Sequence, residues 1–266
     1  MPINERIRIT YALPIAVIVA FMGVGSLWVS GQLVGTPSTT AVRTLLYYVI
    51  PLIVATIALV SLGQRQALRG LATKLPAVFT LGWYIIAAGV VLGTLFFFSI
   101  PQGQVVSPRG STVGIYLAVT LTTALFEELL CRGTIQNVLV DRYGGSPAGV
   151  WQAILLSSGI FAVIHFANLI DKPYFVLGTL TQVIYTFCLA TLIGVIYYVT
   201  KDLLVAVVLH AIFNFFGSIT DIVTTSASQA VGQTDIPIGG MIIQILIMVP
   251  AVAIAHHIYR TRIASA

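Results

Sequence analysis

Apolar runs of membrane-spanning length recur along this chain near residues 11–29, 46–62, 77–100, 113–131, 148–167, 176–199, 203–223 and 238–256. Each predicts a helix, which makes the expected fold an all-α transmembrane bundle of about eight helices. The 266 residues are 58% hydrophobic and only 8% charged, against about 25% charged in an average soluble protein. A soluble fold is excluded on those grounds. The hydrophobicity extends over the whole length without linker, repeat or low-complexity tract, so residues 1–266 read as a single integral membrane domain.

Between the runs lie the expected breakers: Gly31 and Gly35 to Pro37, Gly63 to Pro76, Pro101 to Gly110, Gly144 to Pro147, Lys172-Pro173 and Gly232 to Pro237. Arg6 and Arg8 ahead of the first run resemble the start of a secretory signal. The apolar stretch from Tyr11 to Val29 is longer than a signal core of about 7 to 15 residues, so a retained first helix is expected.

With the amino terminus inside, the inner segments hold Arg6, Arg8, Arg65, Arg69, Lys74, Arg132, Arg142, Lys201, Arg260 and Arg262. Only Arg43, Arg109 and Lys172 fall outside. This bias obeys the positive-inside rule with both termini cytoplasmic and an even number of spans. The same scatter leaves no basic patch with interleaved aromatics, so nucleic acid is not an expected partner. Cys131 and Cys188 lie in apolar segments without zinc or redox spacing. His256 and His257 end the last run beside Tyr259 and Arg260, where they read as interfacial anchors.

An ionisable side chain at membrane depth costs about 2.5 to 3.5 kcal/mol on insertion scales, so it needs a partner or a function. Glu127 and Glu128 are the first to require one. Consecutive helical residues differ by about 100° in direction, which points to separate roles. Arg132 stands four residues after Glu128, the favourable order for a helical ion pair. Glu128 is therefore expected to be braced and Glu127, on a stripe with Thr120, Thr123 and Thr134, to be the freer carboxylate and candidate general base. Taken alone, the pair could equally be polar glue between helices.

The fifth run adds His165, with Phe161 one turn before it, Ser158 earlier and Asn168 three residues after. The seventh adds His210 and Asn214, one above the other on a helical face, and Asp221 further along. His-Glu-x-x-His and Gly-x-Ser-x-Gly are both absent, which argues against a zincin and against a serine nucleophile elbow. A glutamate, two histidines and an asparagine on three helices could hold a water and polarise a carbonyl.

The three patterns Glu127-Glu128-x-x-x-Arg132, Phe161-x-x-x-His165 and His210-x-x-x-Asn214, in that order on separate helices, resemble the CAAX-prenyl-protease and bacteriocin-processing family, also described as abortive-infection-like membrane proteases. The resemblance covers mainly residues 113–223. It implies peptide-bond hydrolysis without a covalent enzyme intermediate, in a cavity open to the cytosol. Glu127 and His165 would hold and deprotonate the water, His210 and Asn214 would stabilise the oxyanion, and Glu128 with Arg132 would support Glu127.

No cofactor is the favoured expectation, although Glu127, His165 and His210 could in principle bind zinc with an open fourth position. Expected partners are the lipid bilayer and a peptide or prenylated-protein substrate, and the expected location is a bacterial or archaeal plasma membrane. Gln182 and Tyr185 could line the cavity, but packing accounts for them as well. A noncatalytic immunity or scaffold protein is the alternative reading. A proton-coupled transporter is a weaker one, since no inverted repeat is evident.

Overall fold

The structure, a computed structural model, describes residues 3–35, 41–101, 103–224 and 238–265. They are helical apart from short connections and an isolated antiparallel bridge between Val105 and Thr224. A short helix, Ile3–Thr10, leads into α1 (Ala12–Val34), followed by α2 (Ala41–Ser61) and α3 (Trp83–Phe98). Next comes α4 (Gly110–Tyr143), then α5 (Pro147–Val163), α6 (Val176–Thr200), α7 (Leu203–Gly217) and α8 (Ile238–Arg262).

Every expected run therefore contains a helix, but the lengths differ from the sequence reading. Among the described residues five helices, α1, α4, α6, α8 and α5 with its extension to Asp171, are long and apolar enough to cross a membrane. Leu45–Ser61, Trp83–Phe98 and Leu203–Gly217 are apolar but shorter. The run at 77–100 opens with a separate turn, Ala77–Thr80, before α3 starts after Gly82. The run at 203–223 breaks at Ser218, and α8 breaks before Pro250, whose ring nitrogen has no hydrogen to donate. In the other direction, the run at 113–131 continues well beyond its expected end, to Tyr143.

Lipid tails are as apolar as leucine, so helices in a membrane associate through close packing and hydrogen bonds more than through a hydrophobic drive. α6 is the most deeply buried span and packs against α5, α7 and α8. Along one face it also accepts a ladder of bonds from α4. Arg132 donates to the Ala190 carbonyl at 3.1 Å, Gln136 to the Gly194 carbonyl at 2.9 Å, and Asn137 to the Tyr197 hydroxyl at 2.9 Å. A side chain at Gly194 would sit 2.8 Å from Gln136 Oε1, so glycine is what lets the two helices approach.

Contacts also gather several loops at one end of the bundle. Arg8 donates to the Leu62 carbonyl at 2.6 Å and pairs with Asp141 at 3.1 Å, and Gln64 donates to Asp141 at 2.7 Å. Asp202, fully buried, caps α7 by accepting from the Leu204 amide at 3.0 Å. Its carboxylate also accepts from the amides of Ala72 at 3.2 Å and Lys74 at 2.9 Å. This one side chain satisfies orphan amides at the start of α7 and ties that helix to the α2–α3 connection.

Candidate active site

The backbone of α4 changes pitch at the site. Gly110–Glu128 is regular α-helix, Leu129–Gln136 is wound as a π-helix, and Asn137–Tyr143 is α-helix again. The Thr134 hydroxyl donates to the Leu129 carbonyl five residues back, at 3.1 Å. Such widened turns are held by side-chain packing rather than by propensity, and they concentrate at functional sites. Here every residue of the turn is buried. A side chain at Gly23 on α1 would come within 2.4 Å of Leu130, so α1 packs directly onto it.

The turn follows the two glutamates immediately. Arg132 NH1 pairs with Glu128 Oε1 at 3.1 Å, as the four-residue spacing predicts, with both side chains essentially unexposed. Phe161 covers the guanidinium, 5.0 Å from its ring centroid. Cation, carboxylate, the Ala190 carbonyl and an aromatic face thus compensate one another, which is what two buried charges require.

His210 enters from α7 and meets both carboxylates. Its Nδ1 is 2.7 Å from Glu128 Oε1 and its Nε2 is 3.4 Å from Glu127 Oε2. A carboxylate paired with arginine accepts hydrogen bonds only, so Nδ1 is the donor toward Glu128. In the neutral ring that leaves Nε2 with its lone pair directed at Glu127. The sequence reading separated the two glutamates by direction and role, and it placed His210 with Asn214. The structure keeps the Glu128–Arg132 pair, yet brings both carboxylates onto opposite nitrogens of one imidazole.

His165 lies just past α5, in the 3-10 turn Ile164–Ala167. Its Nδ1 is 2.8 Å from the Phe161 carbonyl, which fixes Nδ1–H as the donor and leaves Nε2 as an acceptor. The Phe161 ring stands edge-on to His165 at 5.1 Å and to His210 at 6.0 Å. Phe161 is therefore the shared wall of Arg132 and both histidines.

Two cavities flank this cluster and divide the expected residues. The smaller, about 110 Å³, is lined by Glu127 and His165 together with Gly23, Leu27 and Cys131. It has room for more than one water, each of which occupies about 30 Å³. The larger, about 430 Å³, is lined by Asn214, Gln182, Tyr185, Thr123 and residues of α3 and α8. Asn214 is thus one turn beyond the His210–Glu127 contact and faces a different space from His165. Glu127 keeps 22% side-chain exposure where Glu128 has none.

Among the described residues no three His, Cys, Asp or Glu side chains are gathered so that they could hold a metal ion. Within the expected trio, His165 and His210 each hold Nδ1 on an oxygen acceptor, which leaves the lone pair at Nε2.

Fold and cluster define the class: a multi-pass helical membrane protein with paired carboxylates and imidazoles buried between its spans. Residues 109–216 match the family model described as type II CAAX prenyl endopeptidase Rce1-like. That segment, which contains Glu127, Glu128, Arg132, His165, His210 and Asn214, is similar to the CAAX prenyl protease family. Comparison with curated proteins finds no match.

Sequence reasoning did not find the π turn, the shared imidazole, the capping role of Asp202 or the contribution of α1. The polar residues Gln136, Asn137 and Asp202 inside or beside apolar runs were the available signal, since burying them demands partners.

Proposed function

We propose that this protein is an intramembrane endopeptidase in which Glu127 activates water for attack on a peptide carbonyl. The observation that carries the reading is the different setting of two adjacent carboxylates. Glu128 is sealed against Arg132 and His210, while Glu127 faces a water-sized cavity shared with His165. The water's oxygen bonds to the carbonyl carbon as its proton passes to Glu127, and the carbonyl electron pair moves onto oxygen. That proton then goes to the amide nitrogen as the C–N bond breaks, leaving an acid and an amine. His165, through Nε2, helps to hold the water.

The resemblance implies oxyanion stabilisation by both His210 and Asn214. With Nδ1 donating to Glu128, a neutral His210 has no N–H left at Nε2, so the duty falls to the Asn214 carboxamide. His210 instead is held beside Glu127 by its Nδ1–H bond to Glu128. No cofactor enters this scheme.

The membrane topology we propose has eight spans and both termini cytoplasmic. In its support, the Arg8, Gln64, Asp141 and Asp202 neighbourhoods meet at one end of the bundle, so the chain returns there after each pair of helices. The site would open to that cytoplasmic side of a bacterial or archaeal plasma membrane. Its substrate would be a membrane-associated or prenylated peptide.

Purified protein should cleave such a peptide, and Glu127→Gln should reduce turnover by at least about 10². Equal cleavage by both proteins would return the cluster to a packing role.

A further inference from the structure

We propose that the 430 Å³ cavity binds the main chain of an extended substrate segment, and that Gln182, held in place by Asn168, supplies the hydrogen-bond donor that sets its register. The proposal rests on the peptidase reading, because it names what occupies the space beside Glu127. Its physical basis is a count of the donors that the cavity wall still has to offer.

Eight polar side chains line this cavity, and five of them carry hydroxyls. The donors of the four serine and threonine hydroxyls are already engaged. Thr120 donates to the Leu117 carbonyl at 3.1 Å, Thr181 to the Leu177 carbonyl at 2.9 Å, Ser218 to the Asn214 carbonyl at 2.9 Å, and Thr123 to the Tyr48 hydroxyl at 2.7 Å. What remains are the Tyr185 hydroxyl and the carboxamides, notably Gln182 on α6 and Asn214 on α7. Each peptide unit of an extended chain carries one N–H and one C=O that must be satisfied away from water, and neutral carboxamides match both. An isoprenoid chain has neither group.

Gln182 is oriented for this task. Asn168 Nδ2 donates to Gln182 Oε1 at 2.9 Å, which engages the acceptor and leaves the two N–H groups of Nε2. Asn168 follows His165 by three residues and lines the small cavity with it, whereas Gln182 lines the large one. The pair therefore bridges the water site and the proposed peptide site, so a segment registered on Gln182 is also registered against Glu127. Phe175 and Phe213 supply apolar wall between the donors, suited to the side chains of such a segment.

The experiment measures binding rather than turnover. Full-length protein carrying Glu127→Gln is titrated with a fluorescent apolar peptide, in prenylated and unprenylated forms. Adding Gln182→Met, which keeps the side chain's length without its N–H groups, should weaken both probes about two- to tenfold. Asn168→Ala should weaken them less, and the double variant no more than Gln182→Met alone, because the two act through one donor. Unchanged binding, a loss that follows melting temperature alone, a loss confined to the prenylated probe, or no binding with Gln182 intact would each overturn the assignment. Because these proteins carry no general base, the result stands apart from whether Glu127→Gln abolishes cleavage.

Discussion

On the sealed side of His210, Glu128 has no exposure, an arginine at 3.1 Å and an aromatic lid over that arginine. On the open side, Glu127 is the same residue type one position earlier, yet it touches His210 only at 3.4 Å and borders a cavity. Chemistry at neutral pH needs carboxylates in different environments, and here one helix supplies both. The difference teaches that packing can seal one of two neighbouring carboxylates and leave the other facing a cavity, and the proposed division of roles rests on it.

The largest effect that would break this comparison is at Glu127. Glu127→Gln is expected to lower turnover about 10² to 10⁴-fold while leaving the melting temperature near wild type. Cleavage assays paired with thermal denaturation check it, and a large drop in melting temperature would make both carboxylates structural. Next comes Arg132→Met, which leaves Glu128 buried without its cation and should cost about 3 to 5 kcal/mol of stability. Denaturation in detergent measures this, and a change below about 1 kcal/mol would mean that the pair is dispensable.

Asn214→Ala sharpens the open side. Removing one oxyanion donor should reduce kcat about 10² or more with the fold intact. An unchanged kcat would return the donor role to a protonated His210. The smallest expected effect is Gly23→Ala, where the added methyl meets Leu130 at 2.4 Å and should cost about 1 to 3 kcal/mol. Its value is diagnostic, because Gly23 lies outside the matched residues 109–216 yet lines the cavity of Glu127.

That last residue shows how the site is built across the limits of the family segment. The segment holds the six residues of the cluster, while α1 contributes Gly23 and Leu27 to the small cavity and α8 contributes Gln244 to the large one. Nothing in an apolar run distinguishes a helix that walls a cavity from one that faces lipid. The first and last spans were therefore legible only as spans.

What the sequence determined by itself was local or additive. Run length and hydropathy placed the helices, and the four-residue spacing paired Glu128 with Arg132. Run positions alone, however, set no common depth for Glu127 and His210. They meet because α4 runs on to Tyr143 through a π turn, while α7 begins at a buried Asp202 anchored to the Ala72 and Lys74 amides. A widened turn has no propensity signal of its own, and depth is set by contacts between segments far apart in the chain. Whether two carboxylates share one imidazole is therefore decided by tertiary packing, where close glycines and interhelical hydrogen bonds settle which registers fit.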